Sequence, residues 1–301
     1  GDRNGVPPGF GGPKTLFNHG NGSVGMLENV PHGSMHMAVG GFMGRFNTAA
    51  LDPIFWLHHS NIDRLWVVWR GRNAKFVDPT DPQWLTGVTF EFDSATPSFT
   101  SGLVVDTTAA PLNYEYEDVL DPLGGAERSP NARMEAMPER RIPEMVGASD
   151  QPVELGDRPT TARVAVRPPT GPVREAAEAR AAAPDVFLRF QDITGGEATS
   201  YEVYLNVPEG ADPAQHSDRH VGQLPMFGVA EASAASDRHP GSGLHYSLDA
   251  TKVVRRLAES GEWDPLSLKV TFIPKRRGAV PESAAGAPRP IRIGQVSVYL
   301  V

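Results

Sequence analysis

The chain has 301 residues, 40% of them hydrophobic, so it can bury a core; we expect two domains, with one large domain as the alternative. The formal net charge of −8 argues against a nucleic-acid partner, because such binding needs a basic surface. The absence of cysteine excludes disulfides and thiolate metal ligands. No apolar run approaches the roughly 18 to 20 residues of a membrane span, so we expect a soluble protein whose compartment is undetermined.

The N-terminal part of the sequence predicts a loop followed by a short helix. Residues 1–5 resemble neither a signal peptide nor a methionine start, so we expect a processed product or a fragment. Residues 1–27 are rich in Gly, Pro and Asn and predict a loop. A helix is predicted over 31–39, and it carries His32 and His36. Side chains four residues apart on a helix share one face and lie about 5–6 Å apart.

A second helix is predicted over 52–70. Asp52 suits the N-cap, and Pro53 suits the first helical position, where its missing N–H costs no hydrogen bond. This helix carries the adjacent pair His58 and His59, which must point about 100° apart. One of the two can add a third imidazole to the first pair, and neutral imidazole is a good ligand for copper, zinc, iron and nickel. The residues alone therefore predict a metal site of three histidines.

The rest of the chain predicts mainly short strands. Residues 88–92 alternate between apolar and polar, which is typical of a strand. Residues 120–158 have little periodicity and predict a linker. Beyond it, one helix is predicted over 249–260 within a series of β-rich runs, which is typical of a β-sandwich. These runs are 162–166, 186–190, 201–207, 223–229, 266–272 and 291–301.

Three pieces of sequence surround the histidines: Glu28-Asn29-Val30-Pro31-His32-Gly33-Ser34-Met35-His36, then Gly40-Gly41-Phe42-Met43, then Asp52-Pro53-x-Phe55-Trp56-Leu57-His58-His59-x-x-x-Asp63-x-x-Trp66. This pattern resembles the copper-B half of the type-3 copper proteins, and among them the tyrosinase–polyphenol oxidase family. The resemblance implies that His32, His36 and His59 bind one copper ion. We interpret His58 as a core histidine bonded to a carbonyl, with a direct ligand role as the alternative.

Weaker resemblances extend along the chain. Residues 81–85 resemble the DWL module of plant-type polyphenol oxidases, and Tyr114-Glu115-Tyr116 resembles the Tyr-x-Tyr motif near the end of their core. Residues 186–190 and 201–206 resemble the family's C-terminal shielding domain. The resemblance thus implies an α+β chain. Its expected parts are the copper-B portion of a helical-bundle catalytic core with the DWL-like segment (1–119), a linker (120–158) and a C-terminal β-sandwich shielding domain (159–301).

The shielding domain is expected to keep the enzyme latent. In the resembled family this domain covers the copper site, and a side chain from one of its loops often fills the substrate cavity. The long, irregular loops 208–222 and 230–244 are the predicted source of that side chain.

The resemblance implies a copper-dependent oxidoreductase that oxidises o-diphenols to o-quinones with O2. Glu28 would help to order an active-site water, while Gly33 has no side chain to assist it, so diphenol oxidation should exceed monophenol hydroxylation. Met37 aligns with the entrance of the site. Phe46 aligns with the gate over the second copper ion, and a packed loop aromatic is the alternative interpretation of Phe46.

The family's other metal site, copper-A, needs three further histidines. Those that remain are His19, His216, His220, His239 and His245; we interpret His216 and His220 as surface residues and place His239 and His245 in a loop. A copper-A-bearing N-terminal fragment or subunit is therefore the expected partner, with a small phenol and O2 as substrates. Three alternatives stay open: an o-aminophenol oxidase, a hemocyanin-like oxygen carrier, and a non-catalytic half.

Overall fold

A computed structural model of the chain describes Val6 and residues 9–12, 24–91, 98–121, 143–171, 173–175, 184–196, 199–235, 240–264, 268–275 and 290–301. These residues form two compact units. The first unit contains Val6, residues 9–12 and 24–52, and the described residues from 143 to 301, and the second contains residues 53–91 and 98–121.

The described helices are α1 (Ser34–Val39), α2 (Pro53–Gly71), α3 (Pro82–Thr86), α4 (Val229–Ser233) and α5 (Thr251–Glu259). The described strands are β1 (Thr89–Phe90), β2 (Phe99–Thr100), β3 (Glu144–Ala148), β4 (Val153–Leu155), β5 (Thr160–Val164), β6 (Val186–Ile193), β7 (Ser200–Leu205), β8 (His220–Pro225), β9 (Leu244–Asp249), β10 (Leu268–Pro274), β11 (Ile291–Ile293) and β12 (Gln295–Leu300). Within the described part of the chain, no helix is both long and apolar enough to cross a membrane.

The first unit contains a β-sandwich. One sheet has the strand order β5-β10-β7-β8 and the other β3-β12-β6-β9, and all neighbouring strands are antiparallel. The inward-facing side chains of both sheets share one apolar core. At its centre the fully buried rings of Phe190 and Phe272 meet edge to face, with their centroids 5.8 Å apart. Burying a side chain of this size stabilises the fold by roughly 1.5–3 kcal/mol. The predicted α+β class is confirmed.

The two helices that carry the histidine motifs form close to where they were predicted. The chain makes a π-helical turn over Glu28–Gly33, with extended backbone at Val30, and continues directly into α1. A glycine with positive φ, Gly40, ends α1. Helix α2 begins at Pro53, as the N-terminal signals predicted.

Two predictions about strands are wrong. The predicted strand 223–229 ends at Pro225, because Gly228 takes a left-handed conformation (φ 76°) and Val229 begins α4. The predicted linker 120–158 contains β3 and β4, which bury Val146 and Leu155 in the core. Strands of three to five residues are too short to show a clear period in sequence. Residues 122–142 of that linker, and most of the predicted loop 1–27, lie outside the described residues.

The sandwich also holds the residues that lead into α1. The N–H of Val24 donates to the carbonyl of His245 on β9 at 3.2 Å, and the Val24 side chain packs against the sandwich core. His245 was predicted to lie in a loop, and this prediction is wrong, because Leu244–Asp249 pairs with β6 as a strand. The sandwich and the helix that carries His32 and His36 are therefore one structural unit.

The second unit is organised around α2. Trp66 donates from its indole nitrogen to Asp78 at 2.8 Å, and the ring of Trp69 stacks on Phe76. The hydroxyls of Tyr114 and Tyr116 both donate to Oδ2 of Asp63 at 2.7 Å. The Tyr-x-Tyr motif thus ties the chain after β2 to the helix that carries His59.

Candidate metal centre

The first pair of histidines shares one face of the helical segment, as their spacing predicted. The ring centroids of His32 and His36 are 4.7 Å apart, and the two rings meet nearly at right angles. Both side chains are buried. Rings held this close can direct one nitrogen each to a common point.

Each ring of this pair has an oxygen atom close to its Nδ1. Nδ1 of His36 lies 2.7 Å from the backbone carbonyl of Met43, so it must carry the proton and donate. Nδ1 of His32 lies 3.0 Å from a carboxylate oxygen of Glu28, a close contact that does not have hydrogen-bond geometry. Nε2 is then the lone-pair nitrogen of the His36 ring. Metal-binding histidines are commonly oriented by such contacts of their second nitrogen.

The second pair of histidines lies on α2. The ring planes of His58 and His59 differ by 81°, and side chains of neighbours on a helix point about 100° apart. His58 is buried, whereas His59 is half-buried and stacks on the ring of Phe55 at a centroid distance of 4.0 Å. The two rings therefore occupy different surroundings, which agrees with different roles.

Three histidines could together hold a metal ion: His32, His36 and His59 each offer one ring nitrogen, and these nitrogens lie within 4.8 Å of one another. A set of three imidazoles without thiolates suits copper, and it also suits zinc. The residues present therefore fit a copper ion.

The other predicted site residues lie in the first unit. Glu28 is exposed next to His32, and Gly33 is buried. Met37 is buried, and 61% of the surface of Phe46 is exposed. Their roles toward a substrate stay predictions.

Asp63 lies on α2, four residues after His59. In the structure, its carboxylate accepts the two tyrosine hydroxyls described above. Burial, followed by the hydrogen bond to Asp63, raises the pKa of both Tyr114 and Tyr116. Both hydroxyls therefore remain protonated donors at neutral pH.

A residue that we did not predict, Phe227, lies directly over the first histidine pair. Its ring stacks on His36 with a centroid distance of 4.0 Å and an angle of 16° between the planes. It meets His32 edge to face at 6.0 Å and lies 5.9 Å from the ring of Phe46. Phe227 follows β8 and falls between the loops 208–222 and 230–244 that were predicted to supply a plug. The local signal in sequence was an aromatic residue in the turn Pro-Met-Phe-Gly.

The histidines of the sandwich have other partners. Nε2 of His220 lies 2.6 Å from Glu202, whose other oxygen contacts Lys275 at 2.8 Å. The hydrogen bond from His220 lowers the pKa of Glu202. Burial lowers the pKa of His245 on β9. His220 therefore belongs to an ion-pair network, and among the described residues it is not part of a metal-ligand group.

Comparisons with known proteins divide the chain into two matched regions. Residues 10–72 match the common central domain of tyrosinase, and residues 142–301 match a domain of unknown function, DUF7868. A tyrosinase of Hahella sp. (strain CCB-MM4) is 32% identical over 296 residues, which cover 96% of this chain and 59% of the relative. The chloroplastic polyphenol oxidase D of Solanum lycopersicum is 24% identical over 279 residues, which cover 85% of this chain and 44% of the relative. The chain thus spans about half the length of the curated relatives it matches.

Solved structures share the fold. A latent aurone synthase (polyphenol oxidase) aligns with 99% of this chain and 57% of its own, with a TM-score of 0.55 and 21% identity. A latent apple tyrosinase aligns with 92% of this chain and 57% of its own, with a TM-score of 0.52 and 22% identity. At this level of identity, the likeness concerns the fold alone.

Proposed function

Because this chain belongs to the tyrosinase–polyphenol oxidase family of type-3 copper proteins, and its residues 142–301 to the DUF7868 domain family, we propose that it supplies the copper-B half of a copper-dependent oxidoreductase. The proposed reaction oxidises o-diphenols to o-quinones with O2. The observation that carries the proposal is the group of three histidine nitrogens within 4.8 Å. Copper bound there supplies one-electron redox chemistry that neutral organic side chains lack.

The chain's own residues have distinct tasks in this proposal. The backbone carbonyl of Met43 holds His36 through Nδ1, so this ligand is oriented before the metal binds, and a carboxylate oxygen of Glu28 lies 3.0 Å from Nδ1 of His32. The exposed carboxylate of Glu28 is also a candidate proton acceptor for a phenol or a water. Gly33 offers that water no side-chain partner, so general-base help, typically worth roughly 10²–10⁴-fold, should be weak. This favours diphenols, which ionise more readily, over monophenols.

The proposed partner is a copper-A-bearing N-terminal fragment or subunit. The sequence contains too few clustered histidines for a second site, and the chain spans about half the length of its relatives. The first turns of α2 support this proposal. They expose large apolar side chains, including 63% of Trp56 and 69% of Leu57, next to His59 in the chain. Exposed apolar residues of this size commonly mark a protein interface.

We also propose that the domain 159–301 shields the copper site and that Phe227 is the plug. A phenol that approached the first histidine pair would need the space above His36, which the stacked Phe227 ring fills. An oxygen carrier is the second candidate function, because O2 is far smaller than a phenol and needs less of this space. Removal of the plug distinguishes the two functions.

Copper binding tests the proposed ligands. We expect one copper ion per chain, measured by titration calorimetry and by metal analysis after gel filtration. His36→Ala or His59→Ala should weaken the affinity by at least about 100-fold, since loss of an outer-shell partner alone typically costs 10–100-fold. The control His220→Ala should bind copper normally. Copper retained by both ligand variants, or lost in His220→Ala, would contradict this ligand set.

Catalysis tests the proposed partner. Two-electron oxidation of a catechol needs both copper sites, so the purified chain should turn over no catechol. Addition of the copper-A-bearing half should restore oxidation, measured as quinone absorbance, and catechol should be used faster than its monophenol analogue. Rapid oxidation by the chain shown to be free of any partner would refute the half-site proposal.

Phe227→Ala tests the plug. In the complex of the two halves with the shielding domain still attached, this variant should raise the oxidation rate by about tenfold or more, because it removes a ring stack and its buried surface. The control Val221→Ala, on β8, should remain latent. An unchanged rate in Phe227→Ala would exclude a shielding role for this ring. Binding of O2 without any phenol oxidation would favour the oxygen carrier.

A further inference from the structure

Phe227 is positioned through Pro225, two residues earlier. The carbonyl oxygen of Pro225 accepts a hydrogen bond from the hydroxyl of Tyr246 on β9 at 2.5 Å. Both residues are buried. A buried carbonyl that loses its donor is costly, so this bond resists movement of the turn that carries Phe227.

The ring of Pro225 lies against the helical segment that carries the histidines. A Cβ atom added to Gly33 would lie 3.1 Å from Cγ and 3.4 Å from Cβ of Pro225. Ordinary contacts between carbon atoms are about 3.5–4.0 Å. The close approach of Pro225 therefore depends on the missing side chain at position 33.

Strand β9 bonds to both segments that meet where Pro225 lies against Gly33. Tyr246 holds the turn after β8, and the carbonyl of the preceding residue, His245, accepts the N–H of Val24, which leads into the histidine segment. One strand thus contacts both the turn that carries Phe227 and the segment that leads to His32 and His36. Burial raises the pKa of the Tyr246 hydroxyl, so the hydroxyl stays protonated and remains a donor at neutral and mildly alkaline pH.

We propose that Gly33 and Tyr246 form a seat for Pro225, and that this seat holds Phe227 on the ring of His36. Tyr246 is a positioning residue, since it acts on the plug through the Pro225 carbonyl. Gly33 has a second role in addition to any effect on substrate, because a side chain there requires Pro225 to shift by a few tenths of an ångström and so loosens the seat of Phe227. The consequence for latency rests on the proposed shielding function; the seat itself does not.

The test observes the Phe227 ring directly in the full chain. 4-Fluorophenylalanine is incorporated at position 227 alone, and its ¹⁹F resonance is recorded without copper or substrate. Tyr246→Phe removes the donor and keeps the ring that fills the core. Gly33→Ala adds one methyl group against Pro225. Gly156→Ala is the matched control, because a Cβ added there meets nothing within 4 Å.

We expect the ¹⁹F resonance to move toward the value of an unstacked ring in Tyr246→Phe and in Gly33→Ala, and to stay in place in Gly156→Ala. The melting temperature of each variant confirms that the sandwich is folded. An unmoved resonance in folded Tyr246→Phe would overturn the proposal. Because the methyl group of Gly33→Ala would also lie 3.1 Å from the Glu28 carbonyl, Tyr246→Phe decides the outcome if Gly33→Ala disturbs its own turn.

A second readout separates this inference from the proposed function. In the complex of both halves, the oxidation rate is measured with the shielding domain attached and again after proteolytic release of that domain. Tyr246→Phe should raise the ratio of the first rate to the second about fivefold, as expected from the loss of one neutral hydrogen bond. A moved resonance with an unchanged ratio would support the seat and refute shielding. An unmoved resonance would overturn the seat whatever the chain's enzymatic activity.

Discussion

The face-to-face contact between Phe227 and His36 is the interaction on which the proposed function of the first unit depends. It joins a turn of the β-sandwich to a histidine that is a proposed copper ligand, at a centroid distance of 4.0 Å. Stacking of this kind requires both rings to be held in fixed orientations. His36 is held by Met43 through Nδ1, and Phe227 is held by the turn after β8. The sandwich is therefore a structural part of the candidate metal centre.

In the proposed function, this arrangement combines latency with an oriented ligand. The hydrogen bond to the Met43 carbonyl sets the tautomer of His36 without the help of a metal, so this proposed ligand is oriented before copper binds. The Phe227 ring, as the proposed plug, would block access by size and leave His36 in place. Activation would then require movement of one turn of chain, and the bond between Tyr246 and Pro225 is the contact proposed to oppose this movement.

The features that were predictable from sequence are those set by local spacing. The i, i+4 histidines share a face because helix geometry requires it, and Pro53 begins α2 because proline suits a helix start. The features that were missed depend on contacts distant in the chain. Phe227 lies about 190 residues after His36, and no local sequence pattern predicts which ring it contacts. The short strands β3 and β4 were missed because their partners are distant in sequence: β12 lies about 150 residues after β3, and β11 lies about 140 residues after β4.

Electron paramagnetic resonance of the chain loaded with Cu²⁺ tests the half-site account most directly. A single Cu²⁺ ion with three imidazole nitrogens is an isolated spin, whereas two strongly coupled ions give no signal. We expect one full spin per bound copper, with nitrogen hyperfine structure that changes from three imidazole nitrogens to two in His36→Ala, and disappearance of the signal when the copper-A-bearing half is added. A silent spectrum from the chain alone, with two coppers bound, would contradict the account.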